Sequence, residues 1–160
     1  MAGSRTFGVP TGGILFMSFP MFDTYAMRTE PLRGDTAYVV VTSAKAILAH
    51  IPHVRFGRIN GQEVISYTRN FAIQILRALR EHGFPESARH FIIYAQQNEH
   101  PVYEDLLDYM RGIFESRGLP TPTVRAYEFH EGDTASVLVN GWPGDGGRRI
   151  IVGNRLVFRF

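Results

Sequence analysis

Residues 68–95, TRNFAIQILRALREHGFPESARHFIIYA, decide how this chain is read. Phe71, Ile75, Leu76 and Leu79 fall on one helical face, and Arg69, Arg77, Arg80 and Glu81 fall largely elsewhere, which predicts an amphipathic helix over Thr68 to His82. Gly83 and Pro85 supply its stop. Phe91 to Ala95 follows as a buried strand. The unit then recurs: Pro101 opens a second helix with Val102, Leu106, Met110, Ile113 and Phe114 on its core face, Gly118 and Pro120 end it, and Thr123 to Phe129 returns as a strand.

On the amino-terminal side, Thr36 to Val41 (TAYVVV) is apolar and rich in β-branched residues, which predicts a central strand. Gly13 to Phe19 reads as another strand, and Pro20 to Asp35 as a loop with a turn of helix. Ser43 to His50 reads as a short helix capped by Ser43 and stopped by Pro52. Between Val54 to Ile59 and Gln62 to Ile65, Asn60-Gly61 predicts a two-residue hairpin turn, because that dipeptide accepts positive φ. Beyond the second helix, Ser136 to Val139, Arg149 to Val152 and Leu156 to Phe160 are separated by Gly-rich turns. The expected class is α+β (or α/β): a single domain over residues 13–160, with a mixed β-sheet, two main helices as crossovers and a C-terminal antiparallel β-meander. Residues 1–12 read as an N-terminal tail, Met1-Ala2-Gly3-Ser4 being the kind of string cloning leaves behind, so that a native chain would continue upstream.

With 160 residues, 44% of them apolar, the chain can bury a core without covalent staples. It has no cysteine, which excludes disulfides, thiolate nucleophiles and cysteine-bound zinc. No apolar run approaches the ~20 residues that cross a bilayer, so a soluble protein with no membrane partner is expected, in a compartment the residues leave open. Net charge is only +2, yet Lys45 is the sole lysine among 17 basic residues. Arginine's planar fork suits phosphates and carboxylates, and coding bias explains the same skew. The longest basic run is Arg148-Arg149, so no nucleic-acid-coating patch is evident, although nucleic acid is not excluded.

Chemistry is expected outside the carboxyl ends of strands, where loops lead into helices. Three polar clusters stand there: Ser43 and Lys45 after TAYVVV; Gln96, Gln97, Asn98, Glu99 and His100 after FIIYA; His130, Glu131 and Asp133 after Thr123 to Phe129. If those strands are parallel neighbours, the clusters meet on one edge. Glu99, His100 and His130 are the acid–base candidates, and Ser43, Lys45, Gln96, Asn98, Glu131 and Asp133 the substrate-binding ones. Each has a structural explanation beside the catalytic one: Asn98 as a helix cap, Glu99 complementing a helix dipole, Lys45 as an exposed cation, Glu-Gly-Asp as a plain turn. No His-Glu-x-x-His spacing occurs, so no metal is assigned, and no cofactor is implied. His50 and His53 are read as structural or surface residues, and Arg33-Gly34-Asp35 carries no weight as an adhesion tripeptide. Trp142, the one tryptophan, sits in the Gly141 to Gly147 loop, where it suits a stacking platform or a protein partner's anchor.

The stretch from Ile92-Ile93-Tyr94 through Pro101 and its helix resembles the strand-to-helix corner of nucleoside and nucleic-acid deaminases. Val102 and Asp105 stand where those enzymes place the cysteines of Pro-Cys-x-x-Cys. Zinc deamination is therefore excluded, and what the resemblance implies is a shared three-layer topology. The functional expectation is a small hydrolase or transferase acting by acid–base chemistry on an anionic or nucleotide-like molecule, complete in itself or as the catalytic tail of a larger effector. Its alternative is a non-catalytic protein-binding or assembly module.

Overall fold

The computed structural model describes residues 5–19, 25–52, 61–102, 104–130, 132, 135–144 and 147–160, with backbone alone for 61–67 and 104–106. In chain order its elements are β1 (Arg5–Val9), β2 (Ile14–Ser18), β3 (Tyr25–Thr29), β4 (Thr36–Val41), β5 (Lys45–Ile51), α1 (Gly61–Glu81), β6 (Arg89–Gln97), β7 (His100–Pro101), α2 (Glu104–Ser116), β8 (Thr123–Glu128), β9 (Val137–Asn140), β10 (Arg149–Val152) and β11 (Arg155–Arg159). This is a single mixed α+β domain with a β-rich carboxyl-terminal part.

The strands form two sheets. The first runs β2-β5-β4-β6, with β8 parallel to β6 at its edge. The two-residue β7 pairs with Gln96 and Gln97. Since β8 occupies one side of β6, β7 lies on the other, past the point where β4 begins. The second sheet runs β1-β3-β9-β10-β11, its last three strands an antiparallel meander. Strands β5 and β6 are each antiparallel to β4 and hence parallel to one another. Helix α1 carries the chain across β4, and α2 carries it from β6 to β8, which makes both helices crossovers.

Strand alternation divides the core in two. Ala37, Val39 and Val41 of β4, Ala46 and Leu48 of β5, and Phe91 and Ile93 of β6 face Met27, Val137, Val139 and Ile150 of the second sheet. Tyr38, Val40, Ile47, Ala49 and Ile92 face Phe71 and Ile75 of α1 and Met110 and Phe114 of α2. The layers are therefore sheet, sheet and helix, which is why TAYVVV has no exposed position at all. Among the described residues the two helices form one outer layer and the second sheet the other. Gly83 (φ 62°) closes α1 as expected, with the Phe84 amide donating to Leu79 and the Gly83 amide to Arg80.

Several local expectations are corrected. Ser43 to His50 is not a helix: after a tight turn in which Thr42 Oγ1 accepts from the amides of Ala44 and Lys45, residues Lys45–Ile51 form a strand paired on both sides. Helix propensity loses there to burial, because both faces of the segment are covered. Gly61 opens α1 and Gln62 to Ile65 continue it, so the second arm of the expected hairpin is helical, while residues 53–60 lie outside the described residues. The Pro20 to Asp35 segment contains β3, and residues 5–9 of the expected tail form β1, parallel to it. The second helix starts at Glu104, since Pro101 pairs with Gln96.

Candidate functional site

The register of the first sheet places the sequence's polar clusters. Parallel strands β5, β6 and β8 all end at one edge, here the carboxyl edge, and antiparallel β4 begins there. Gln96 and Glu128 are register partners, and the Gln96 amide donates to Glu128 Oε1 at 2.6 Å. His100 pairs with Gln97, and His130 follows β8, so Glu99, His100 and His130 emerge at this edge, all exposed. Asn98 (φ 52°) and Glu99 (φ 66°) form the two-residue turn between β6 and β7, with Gln97 and His100 paired across it. That is the left-handed geometry of a tight hairpin, so Asn98 is not the cap of α2. Glu131 and Asp133 lie outside the described residues.

Lys45 and Ser43 go to the other end. Because β4 runs against β6, the Thr42–Lys45 turn stands beside Arg89, not Gln97. From there to His100 is about nine residues of strand, roughly 30 Å. Lys45 Nζ donates to the carbonyls of Gly83, at 3.0 Å, and His82, satisfying the carboxyl end of α1. The Ser43 carbonyl accepts from Arg148, whose Nε also holds the Gly141 carbonyl at 2.9 Å. Lys45 and Ser43 therefore do not converge with the histidines.

Beneath the carboxyl edge is a buried polar node that the sequence did not reveal. Asp35, at the entry to β4, and His50, near the end of β5, meet between the sheets with Nε2 and Oδ2 2.7 Å apart. His50 is wholly buried, and its Nδ1 has no hydrogen-bond partner among the described residues. Tyr127 of β8 closes the node: its hydroxyl donates to the Asp35 carbonyl at 2.6 Å and accepts the Gly34 amide at 3.1 Å. Arg33, exposed at the surface of the same loop, has φ 48°, a left-handed conformation that costs a non-glycine residue about 1 kcal/mol or more. Nearby, Glu30 accepts from the amide and hydroxyl of Thr11, and these bonds hold its carboxyl below the usual range. The burial of Gly34 and Asp35 also explains why Arg33-Gly34-Asp35 does not present itself as an adhesion tripeptide.

A second buried imidazole lies on the helix side. Tyr38 and His90 share a 2.7 Å hydrogen bond to Nδ1. Burial pushes His90 down to about 4, leaving it neutral near pH 7, and pushes the Tyr38 phenol up. The phenol is thus the donor and the ring nitrogen the acceptor.

No signal in the chain could have paired Asp35 with His50. They are fifteen residues apart, and the helical reading of Ser43 to His50 removed the period-two alternation that sets Ala46, Leu48 and His50 on one inward face. No known family model and no curated protein matches this chain.

Proposed function

We propose that the domain is a small enzyme, a hydrolase or transferase, whose reaction centre is the carboxyl edge of β5, β6 and β8 and whose substrate is anionic or nucleotide-like. One observation carries the reading: the parallel register of β6 and β8 sends the His100 and His130 segments out of the same edge, above the buried Asp35–His50 pair. Imidazole gives and takes protons near neutral pH, so two histidines with Glu99 and Glu128 beside them provide an acid and a base. Arg33 at the same edge takes the anion-holding part that Lys45 is too distant to play. Asp35 and His50 act from below as positioning residues, fixing the loop that carries Arg33. The test is a two-dimensional amide NMR titration of the full chain with nucleotides and sugar phosphates. Shifts at 33–35, 96–100 and 128–130 are expected, and a set of ligands that leaves all three segments unmoved overturns the proposal.

The second reading is a protein-binding or assembly module. Among the described residues, β1 pairs only with β3 and β2 only with β5, and between these open edges Phe7, Leu15, Met17 and Tyr25 line a cavity of about 300 Å³. Edges of this kind accept an extended strand of a partner protein. Trp142, 51% exposed, adds a second contact point. Light scattering decides for this reading if the chain self-associates, and a substitution of Phe7 by Glu should then abolish the association.

A further inference from the structure

On the helix layer, at the end opposite the carboxyl edge, the carboxyl ends of α1 and α2 enclose a groove of about 550 Å³ whose lining includes Arg77, Arg80, Arg117 and Glu81, with Ile73 and Leu76 as its apolar part. We propose that this groove binds a phosphate-bearing small molecule of nucleotide size, at a site separate from the carboxyl edge. Among the described residues, three cationic forks line one space against a single carboxylate, in a chain whose whole net charge is only +2. None of the three guanidinium groups makes a hydrogen bond or ion pair with a described residue, whereas the Arg148 guanidinium is bound to backbone carbonyls and that of Arg89 lies 5.0 Å from the Phe158 ring.

A cation near a helix carboxyl end complements the helix dipole, but that effect asks for one charge per helix and no cavity. Here two arginines of α1 and one just beyond α2 surround a space within the range that holds small ligands, roughly 300–1,000 Å³. Guanidinium forks match phosphate oxygens in pairs, and the isoleucine and leucine can take the flat apolar part of the same molecule. The inference does not rest on the carboxyl-edge reading, since both helices run away from that edge.

The experiment uses the full chain, calorimetry and amide NMR, with pyrophosphate, ADP and a short single-stranded oligonucleotide as probes. The expected result is binding of pyrophosphate and tighter binding of ADP, with shifts confined to residues 73–81 and 116–117 and affinity falling as salt rises. Arg77→Gln, Arg80→Gln and Arg117→Gln should each weaken ADP by roughly tenfold, the loss of one charge-assisted hydrogen bond. Glu81→Gln should tighten it. These side chains are exposed, so the melting temperature of each variant should stay put, separating lost binding from lost fold. Absence of shifts in 73–81 and 116–117 at millimolar ligand overturns the inference, as does a triple arginine variant that binds ADP like the parent. An oligonucleotide that binds more tightly than ADP and spreads its shifts beyond the groove also overturns it, in favour of a polymer's phosphates. The same spectra report the carboxyl-edge segments separately, so either proposal can fail alone.

Discussion

At the end of the first sheet where β5 begins, cationic side chains are tied to main-chain carbonyls; at the end where β5 finishes, polar side chains meet one another. Lys45 and Arg148 spend their donors on the carbonyls of Gly83, His82, Gly141 and Ser43, and the Arg148 guanidinium also lies 5.4 Å from the Phe19 ring. Asp35 with His50, Gln96 with Glu128 and Thr11 with Glu30 are side-chain pairs at or just under the opposite edge. A cation on a carbonyl closes a helix or a turn and can do little else. Imidazoles and carboxylates grouped on one edge, one pair of them sealed from water, leave proton-carrying groups available. The contrast supports placing the proposed reaction at the carboxyl edge, and it gives Lys45 and Arg148 at the amino edge a structural part.

Removing either side of the contrast should cost stability unequally. Asp35→Ala strips His50 Nε2 of its partner inside a core where Nδ1 has none among the described residues, and should destabilise the domain by about 3 kcal/mol, read as a fall in the urea midpoint. Lys45→Met removes one partly exposed cap, an effect of about 1 kcal/mol by the same measurement. Equal costs would erase the distinction between a buried node and a surface tie.

The buried imidazole on the helix side has a consequence for pH. His90 is depressed to about 4 from an ordinary value of 6.5, so the unfolded chain takes up its proton first as pH falls. Its contribution is complete above about pH 6.5 and is lost progressively down to pH 4, up to about 3 kcal/mol. Glu30, a depressed carboxyl, acts in the same direction but only in the lower window below its ordinary value of 4.5. Denaturation curves between pH 8 and 4 should show the loss, and His90→Gln should flatten the upper part of that window. The smallest effect is expected at Trp142, 51% exposed: Trp142→Ala should change stability by less than about 0.5 kcal/mol in the same urea experiment.

Much of the architecture was legible because apolar periodicity is strong where it matters. Phe71, Ile75, Met110 and Phe114 mark the helical faces, and TAYVVV and FIIYA mark strands covered on both sides. What stayed hidden were segments whose local preference opposes their tertiary role. KAILAHI has alanines and a leucine that favour helix, yet burial between two neighbours makes it β5; Asn60-Gly61 favours a turn, yet Gly61 begins α1. The edge histidines were found because they follow strands. Lys45 was misplaced because the strand before it runs antiparallel, a fact of pairing that no single strand carries.

Turnover by the edge histidines tests the central claim most directly. With a substrate drawn from the nucleotides and sugar phosphates that shift residues 96–100 and 128–130, kcat should fall by roughly 10²- to 10⁴-fold in His100→Ala/His130→Ala. Both residues are exposed, so the melting temperature should hold. A double variant as active as the parent, or a ligand that occupies the edge and is never converted, would contradict the account.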